Sequence, residues 1–292
     1  MRRKILFLSI PVFALMFTGC NSGSTDPVKP NNLRLQFSGL ENPGSHKQYE
    51  GWMVVDGQPV STGKFTIDND GKMSKEYFSV DYSYLSRATS FLVSVEPNPD
   101  ISSERSAHTV LACDFNKNKA ALTTGHSRVL GTDLSIASGG FVMATPTNGP
   151  ASFETSGVWF LNPETGMASL ELPALSAAWQ YEGWAIINGI PVSTGKFKAA
   201  TGPDASSSHN GTLPAPGFPG EDFLENAPAG LTFPANLQGH RIVISVEPNP
   251  DNSAAPFYIK PLALDVPTAA TPGTYYKLQN NSLPAGSATK EK

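Results

Sequence analysis

The sequence predicts an all-β protein made of two tandem antiparallel β-sandwich domains of the immunoglobulin-like type. One stretch occurs twice: residues 49–65 read YEGWMVVDGQPVSTGKF and residues 181–197 read YEGWAIINGIPVSTGKF, with twelve of seventeen positions identical. The block SVEPNPD follows each copy. Blocks that recur in the same order indicate a duplicated domain. Glycine and proline account for 51 of 292 residues, which favours short strands joined by turns.

Local patterns predict the individual elements. Residues 33–37 alternate apolar and polar side chains, as expected of a half-buried strand. Asp-Gly at 56–57 and Asn-Gly at 188–189 predict tight hairpins after the strands of the first block. One or two helical turns are expected near 81–87. The strands of the second block should end at their prolines, because proline cannot donate a hydrogen bond to a sheet.

The repeats divide the chain into segments. The predicted segments are a signal peptide at 1–19, a flexible tether at 20–32, a first β-sandwich at 33–145, a linker at 146–156, a second β-sandwich at 157–284 and a polar tail at 285–292. The offset between the copies grows from 132 residues at the first block to 151 at the second. The second copy therefore carries nineteen extra residues within a loop at 198–240, and loops of this length are commonly functional or mobile.

The start of the chain is typical of an exported lipoprotein. Basic residues at 2–4 precede an apolar run at 5–17 and the sequence FTGC, which is similar to a bacterial lipobox. Cys20 is then the predicted lipid attachment site, and several acyl chains on one cysteine give stable anchoring. We expect a cell-envelope protein on the outer membrane, whose contact with the membrane is this anchor.

Composition argues against a nucleic-acid partner. Twenty-one basic residues face twenty-five acidic ones, for a net charge of −4, and no basic cluster is present. The five histidines lack the spacing of metal ligands, so neither a metal nor another cofactor is expected. Cys113 lies in an apolar run and is interpreted as a buried core residue.

No catalytic residue is predicted. Ser61 and Ser193 begin S-x-x-K sequences, but each lies on a predicted strand without the partner motifs that such a nucleophile requires. Glu96 and Glu247 recur within the second block, where we expect each to fix a turn by accepting backbone N–H bonds. A glycosidase pair would need the two carboxyl groups within about 5–10 Å of each other.

The tryptophans fall into two classes. Trp52 and Trp184 occupy one position of the repeat and are expected to fill the two cores. Trp159 and Trp179 do not recur, which makes them the better candidates for an exposed aromatic surface.

These motifs resemble a known family. The order Y-E-G-W, a D-G turn, P-V-S-T-G-K-F and then S-V-E-P is similar to the extracytoplasmic C-terminal domain of anti-sigma-K factors, over most of 33–145 and again of 157–279. The resemblance implies a β-sandwich and an envelope-facing sensory or binding role. The family's zinc-binding anti-sigma segment and membrane helix have no counterpart here. We therefore expect no direct binding to a sigma factor.

The leading hypothesis is a non-catalytic binding or sensory module with a possible protein partner in the envelope. One alternative is an envelope glycan hydrolase that uses Glu96 or Glu247, and another is a structural or adhesive surface protein. A cleft between the repeats lined by carboxylates would favour the hydrolase. A flat, exposed aromatic patch would favour binding.

Overall fold

The computed structural model describes residues 31–148 and 153–291. The predicted signal peptide, Cys20 and nearly all of the tether lie outside these residues, as do positions 149–152 of the predicted linker. Within the described residues, strands outnumber helices many times over and pair antiparallel throughout. The all-β prediction is confirmed.

The elements follow the repeat. The first repeat contains β1 (Asn32–Ser38), β2 (Lys47–Val55), β3 (Gln58–Phe65), β4 (Tyr77–Ser79), α1 (Tyr82–Arg87), β5 (Ser90–Pro97), β6 (Thr109–Asp114), β7 (Lys119–Thr123), a 3₁₀ turn (Leu134–Ile136), β8 (Gly140–Val142) and a second 3₁₀ turn (Pro146–Asn148). The second repeat contains β9 (Gly157–Trp159), β10 (Leu161–Asn162), β11 (Met167–Ala168), β12 (Trp179–Ile187), β13 (Ile190–Phe197), β14 (Gly220–Asp222), β15 (Arg241–Pro248), β16 (Ile259–Asp265), β17 (Tyr275–Lys277), β18 (Gln279–Asn280) and β19 (Ala285–Glu291).

The locally encoded predictions are confirmed. Asp81 caps α1 by accepting a 2.7 Å hydrogen bond from the Ser83 amide, which satisfies one of the free N–H groups at the helix start. Strands β5 and β15 end at Pro97 and Pro248.

The two hairpins have the same geometry. In each, the turn residues 56–57 and 188–189 adopt positive φ, which Asp, Asn and Gly tolerate and which matches the twist of the paired strands. The register shifts between Gly51 and Trp52 in the first hairpin and between Gly183 and Trp184 in the second. The duplicated sequence thus encodes a duplicated strand pair, including its bulge.

The repeats exchange their last strands. One sheet has the order β3-β2-β5-β6-β7-β19-β1-β4, so β19 from the second repeat lies between β7 and β1 of the first. In another sheet, ordered β14-β9-β8-β17, β8 from the first repeat lies between β9 and β17 of the second. A third sheet, ordered β13-β12-β15-β16-β18, completes the second repeat. Each repeat therefore has a strand of the other repeat inserted into one of its sheets.

This exchange corrects two expectations. The segment at 285–292, expected to be a polar tail, is a strand over Ala285–Glu291. Its side chains are largely polar because it buries only Ala288 completely while its backbone pairs on both sides. Strand β8 lies within the predicted first domain but pairs with strands of the second repeat.

The 198–240 segment is partly structural. It contains β14, which pairs with β9, and it places Phe223 and Leu237 in the core with no exposed surface. Strand β14 pairs with β9 as β4 pairs with β1, so part of this segment corresponds to an element of the first repeat.

Candidate functional site

The residues common to both repeats form a polar network on one face of each long hairpin. In the first repeat they are Glu50, Trp52, Ser61, Lys64, Ser94, Glu96 and Asp100, and in the second they are Glu182, Trp184, Ser193, Lys196, Ser245, Glu247 and Asp251. Glu182 on β12 lies opposite Lys196 on β13 and opposite Ser245 on β15, and Glu50 has the same neighbours in its own repeat. Side chains two positions apart on a strand share a face. Trp184 and Glu247 therefore lie on the same face as Glu182 and Ser245, and Trp52 and Glu96 lie on the corresponding face of the first repeat.

In the second repeat the network begins at Trp184. Its indole Nε1 donates a 2.8 Å hydrogen bond to Ser245 Oγ, and Ser245 donates in turn to Glu247 Oε1. The same oxygen accepts a 2.8 Å bond from the Phe257 amide, in the loop that leads to β16. Glu247 thus ties this loop to the sheet, as expected of a residue that accepts backbone N–H bonds.

The first repeat has the same chain of contacts with one difference. Trp52 Nε1 donates to Ser94 Oγ at 2.8 Å, and Ser94 donates to Glu96. The Ser106 amide contacts both oxygens of Glu96, at 3.0 and 3.2 Å. In the second repeat the Phe257 amide contacts only one oxygen of Glu247.

A lysine faces the acids in each repeat. Lys196 Nζ donates to the main-chain oxygen of Asp251 at 2.8 Å, and lies 3.1 Å from Asp251 Oδ2 and 3.9 Å from Glu182 Oε2. Ser193 Oγ donates to the other oxygen of Glu182 at 2.5 Å. Burial raises the pKa of Glu182 to about 7 and that of Glu247 to about 6, because a buried carboxylate loses its hydration.

The S-x-x-K resemblance has no catalytic geometry. Ser61 and Ser193 lie on strands β3 and β13 and donate to glutamates, and each lysine is held by an aspartate. A nucleophilic serine needs a free base as its hydrogen-bond acceptor.

A groove lies at the junction of the repeats. It encloses about 400 Å³ and is lined by Gly39 and Glu41 of the first repeat and by Ile186, Arg241, Tyr258 and Lys260 among others of the second. Lys260 pairs with Glu41 at 2.5 Å across the junction. Arg241 Nη1 contacts both oxygens of Asp265, at 2.8 and 2.9 Å.

The groove and the polar network share one sheet face. Between β12 and β15 the opposed pairs are Ile186 with Arg241, Trp184 with Val243, and Glu182 with Ser245. Trp184 therefore separates the groove at one end of this face from the acids at the other. Neither grouping was predicted from the sequence, although the retention of the serines, lysines and aspartates in both copies was a visible signal.

Other residues singled out by sequence are buried. Trp52 and Trp184 are 3% and 1% exposed. The expectation of an exposed aromatic surface at Trp159 and Trp179 is wrong: both are buried, and their indoles donate to Asp222 Oδ1 at 2.7 Å and to the Val129 carbonyl at 3.2 Å.

The remaining cysteine has no reactive environment. Cys113 is buried on β6, and burial raises the pKa of its thiol to about 12. Since the thiolate is the nucleophilic form, this residue is inert at neutral pH.

Comparison with known proteins identifies no relative: no protein-family model, no curated protein and no solved structure matches the chain. Among the described residues, none of the helices has the length and apolar character needed to cross a membrane.

Proposed function

We propose that this protein is a non-catalytic binding or sensory module of the bacterial envelope, held to the membrane by a lipid on Cys20. The observation that carries the proposal is the groove between the repeats, to which both repeats contribute side chains. The resemblance to the extracytoplasmic domain of anti-sigma-K factors supports a sensory role. The partner would be a component of the envelope, since a sigma factor is cytoplasmic.

The walls of the groove suit a ligand that carries both apolar and charged groups. Ile186 and Val243 supply apolar side chains to its lining, and Arg241 and Lys260 supply cations. The acids that pair with these cations are largely exposed, with side-chain exposure of 74% for Asp265 and 51% for Glu41. An exposed ion pair such as Arg241–Asp265 contributes about 0–1 kcal/mol, so an anionic group of a partner can compete for Arg241, whereas Lys260 is itself only 19% exposed.

The geometry gives less support to the glycan hydrolase. Glu96 and Glu247 belong to different repeats, and each is bound by a serine and a loop amide. Neither lines the groove, and among the described residues that line it Glu41 is the one that carries a carboxylate. A glycosidase requires two carboxyl groups on either side of the sugar.

Removing the groove cations should weaken partner capture. With Arg241 and Lys260 both changed to Ala, we expect the yield of the partner captured from envelope extracts to fall at least about tenfold, since each tenfold corresponds to ~1.4 kcal/mol of binding. The matched control is Arg34→Ala, which removes a partly exposed cation from a 3.8 Å ion pair with Glu76, away from the groove. Equal yields from the groove variant and the wild type would exclude the groove as the binding surface.

Acylation of Cys20 is tested by a single substitution. In cells expressing Cys20→Ala, we expect the protein to leave the membrane fraction and to lose metabolic labelling with radioactive palmitate, because the anchor depends on buried methylene groups. A variant that stays in the membrane fraction as firmly as the wild type, with no label in either protein, would rule out the lipid anchor.

A further inference from the structure

Three carboxylate groups converge in the second repeat. Glu182, Glu247 and Asp251 each place one oxygen so that all three lie within 4.8 Å of one another. Glu182 and Glu247 are buried, at 2% and 0% exposure. Glu247 Oε2 accepts no hydrogen bond from any residue that the structure describes. Glu182 Oε2 and Asp251 Oδ2 are also buried without a hydrogen bond from any described residue, and they lie 3.9 and 3.1 Å from Lys196 Nζ.

A buried carboxylate oxygen without a donor is costly, because it has lost its hydration and gained nothing in return. Lys196 brings one positive charge to three acids, and its nitrogen approaches Asp251 more closely than Glu182. The cluster is therefore short of positive charge at the position that Glu247 Oε2 faces.

In the first repeat the corresponding glutamate, Glu96, has a donor at both of its carboxylate oxygens. The same residue types are present, but the Ser106 amide contacts both oxygens of Glu96. Lys64 also lies closer to Asp100, at 2.8 Å. Among the residues that the structure describes, the acids of the first repeat form no comparable convergent group.

We propose that Glu182, Glu247 and Asp251 bind a calcium ion. Calcium takes oxygen ligands at about 2.3–2.6 Å, so two ligands of one ion can lie up to ~5 Å apart. The three oxygens lie within that limit. Magnesium demands near-ideal octahedral geometry at about 2.0–2.1 Å, whereas calcium accepts irregular sets of oxygen ligands.

Lys196 is the competitor of the ion. Its ammonium now contacts Asp251 Oδ2 and the Asp251 main-chain oxygen, both of which could face calcium instead. The lysine side chain is 26% exposed, so the ammonium can move to solvent and open the way to the acids. Calcium and the Lys196 ammonium therefore compete for the same oxygens.

The experiment uses the chelator-treated full-length protein, titrated with CaCl₂ and followed by calorimetry and thermal melting. We expect one calcium ion per chain, a dissociation constant on the order of 10⁻⁴–10⁻³ M as in extracellular modules, and a Tm that rises with calcium concentration. Glu247→Gln should weaken binding at least about tenfold, since it replaces a charged ligand by a neutral one. The matched control Glu96→Gln should leave the affinity unchanged.

Substitution of Lys196 should change the calcium affinity in the opposite direction. Lys196→Met removes the competing cation and should tighten calcium binding several-fold, whereas Lys64→Met should have no effect on it. This variant keeps all three acids, so the result does not depend on the folding of Glu247→Gln. The proposal is overturned by an absence of binding at 10 mM calcium, by equal losses in Glu247→Gln and Glu96→Gln, or by weaker binding in Lys196→Met.

Discussion

A chain that stops after Pro284 is expected to lose the folded structure of the first repeat. In the intact protein, β19 pairs with seven residues of β1 and five of β7. Strands β1 and β4 reach the rest of their sheet through β19. Its removal leaves two rows of backbone N–H and C=O groups without partners, and detaches β1 and β4, which carry the buried Leu33, Leu35 and Phe78. The loss should exceed ~5 kcal/mol, which is the lower end of the total stability of a domain.

Circular dichroism and thermal melting of the truncated chain provide the measurement. A synthetic peptide covering residues 285–292 serves as the control, because it can fill the space between β1 and β7 and should restore part of the lost structure. A truncated chain that melts at the wild-type temperature would show that β19 contributes little to the first repeat.

The exchange also places a constraint on two glycines at the start of the exchanged strands. A Cβ on Gly286 would lie 2.5 Å from the main-chain oxygen of Gln36, and one on Gly140 would lie 2.4 Å from that of Tyr276. Each exchanged strand thus has a glycine as its first or second residue, which allows the neighbouring backbones to approach.

Local features of this fold were predictable, and the long-range pairing was not. The D-G and N-G turns, the cap of α1 and the prolines at the ends of β5 and β15 act within a few residues, so the sequence displays them directly. The partner of β19 lies about 250 residues away in the chain. Alternation of side chains shows that a segment can be a strand, but it does not show which strand lies beside it.

The same limit applies to the candidate site. Repetition of the second block drew attention to Glu96 and Glu247, yet both blocks read SVEPNPD. What distinguishes the two glutamates is the loop that follows, where the Ser106 amide contacts two oxygens and the Phe257 amide contacts one. The geometry of a single N–H group decides this difference, and the residue types alone do not encode it.

Truncating the repeated tryptophans should cost about 3–5 kcal/mol of unfolding free energy each, since a large buried aromatic is replaced by a cavity. Trp52 belongs to the main core, whereas Trp184 packs in a small separate cluster with Val243 and Ala263. We expect Trp52→Ala at the upper end of the range. Trp184→Ala should fall at the lower end, because the cavity it leaves adjoins the groove and can fill with water.

Urea unfolding at neutral pH measures both losses, and Tyr82→Ala, which removes a 57% exposed aromatic, is the control expected to stay within about 0.5 kcal/mol of wild type. Trp52→Ala should lose more unfolding free energy than Trp184→Ala. Trp184 separates the groove from Glu182 and Glu247 on one sheet face, so its removal should also speed the access of calcium to the acids. If Trp184→Ala is as stable as the wild type, the indole does not pack between the groove and the acid cluster. The two sites would then be connected in the wild-type protein.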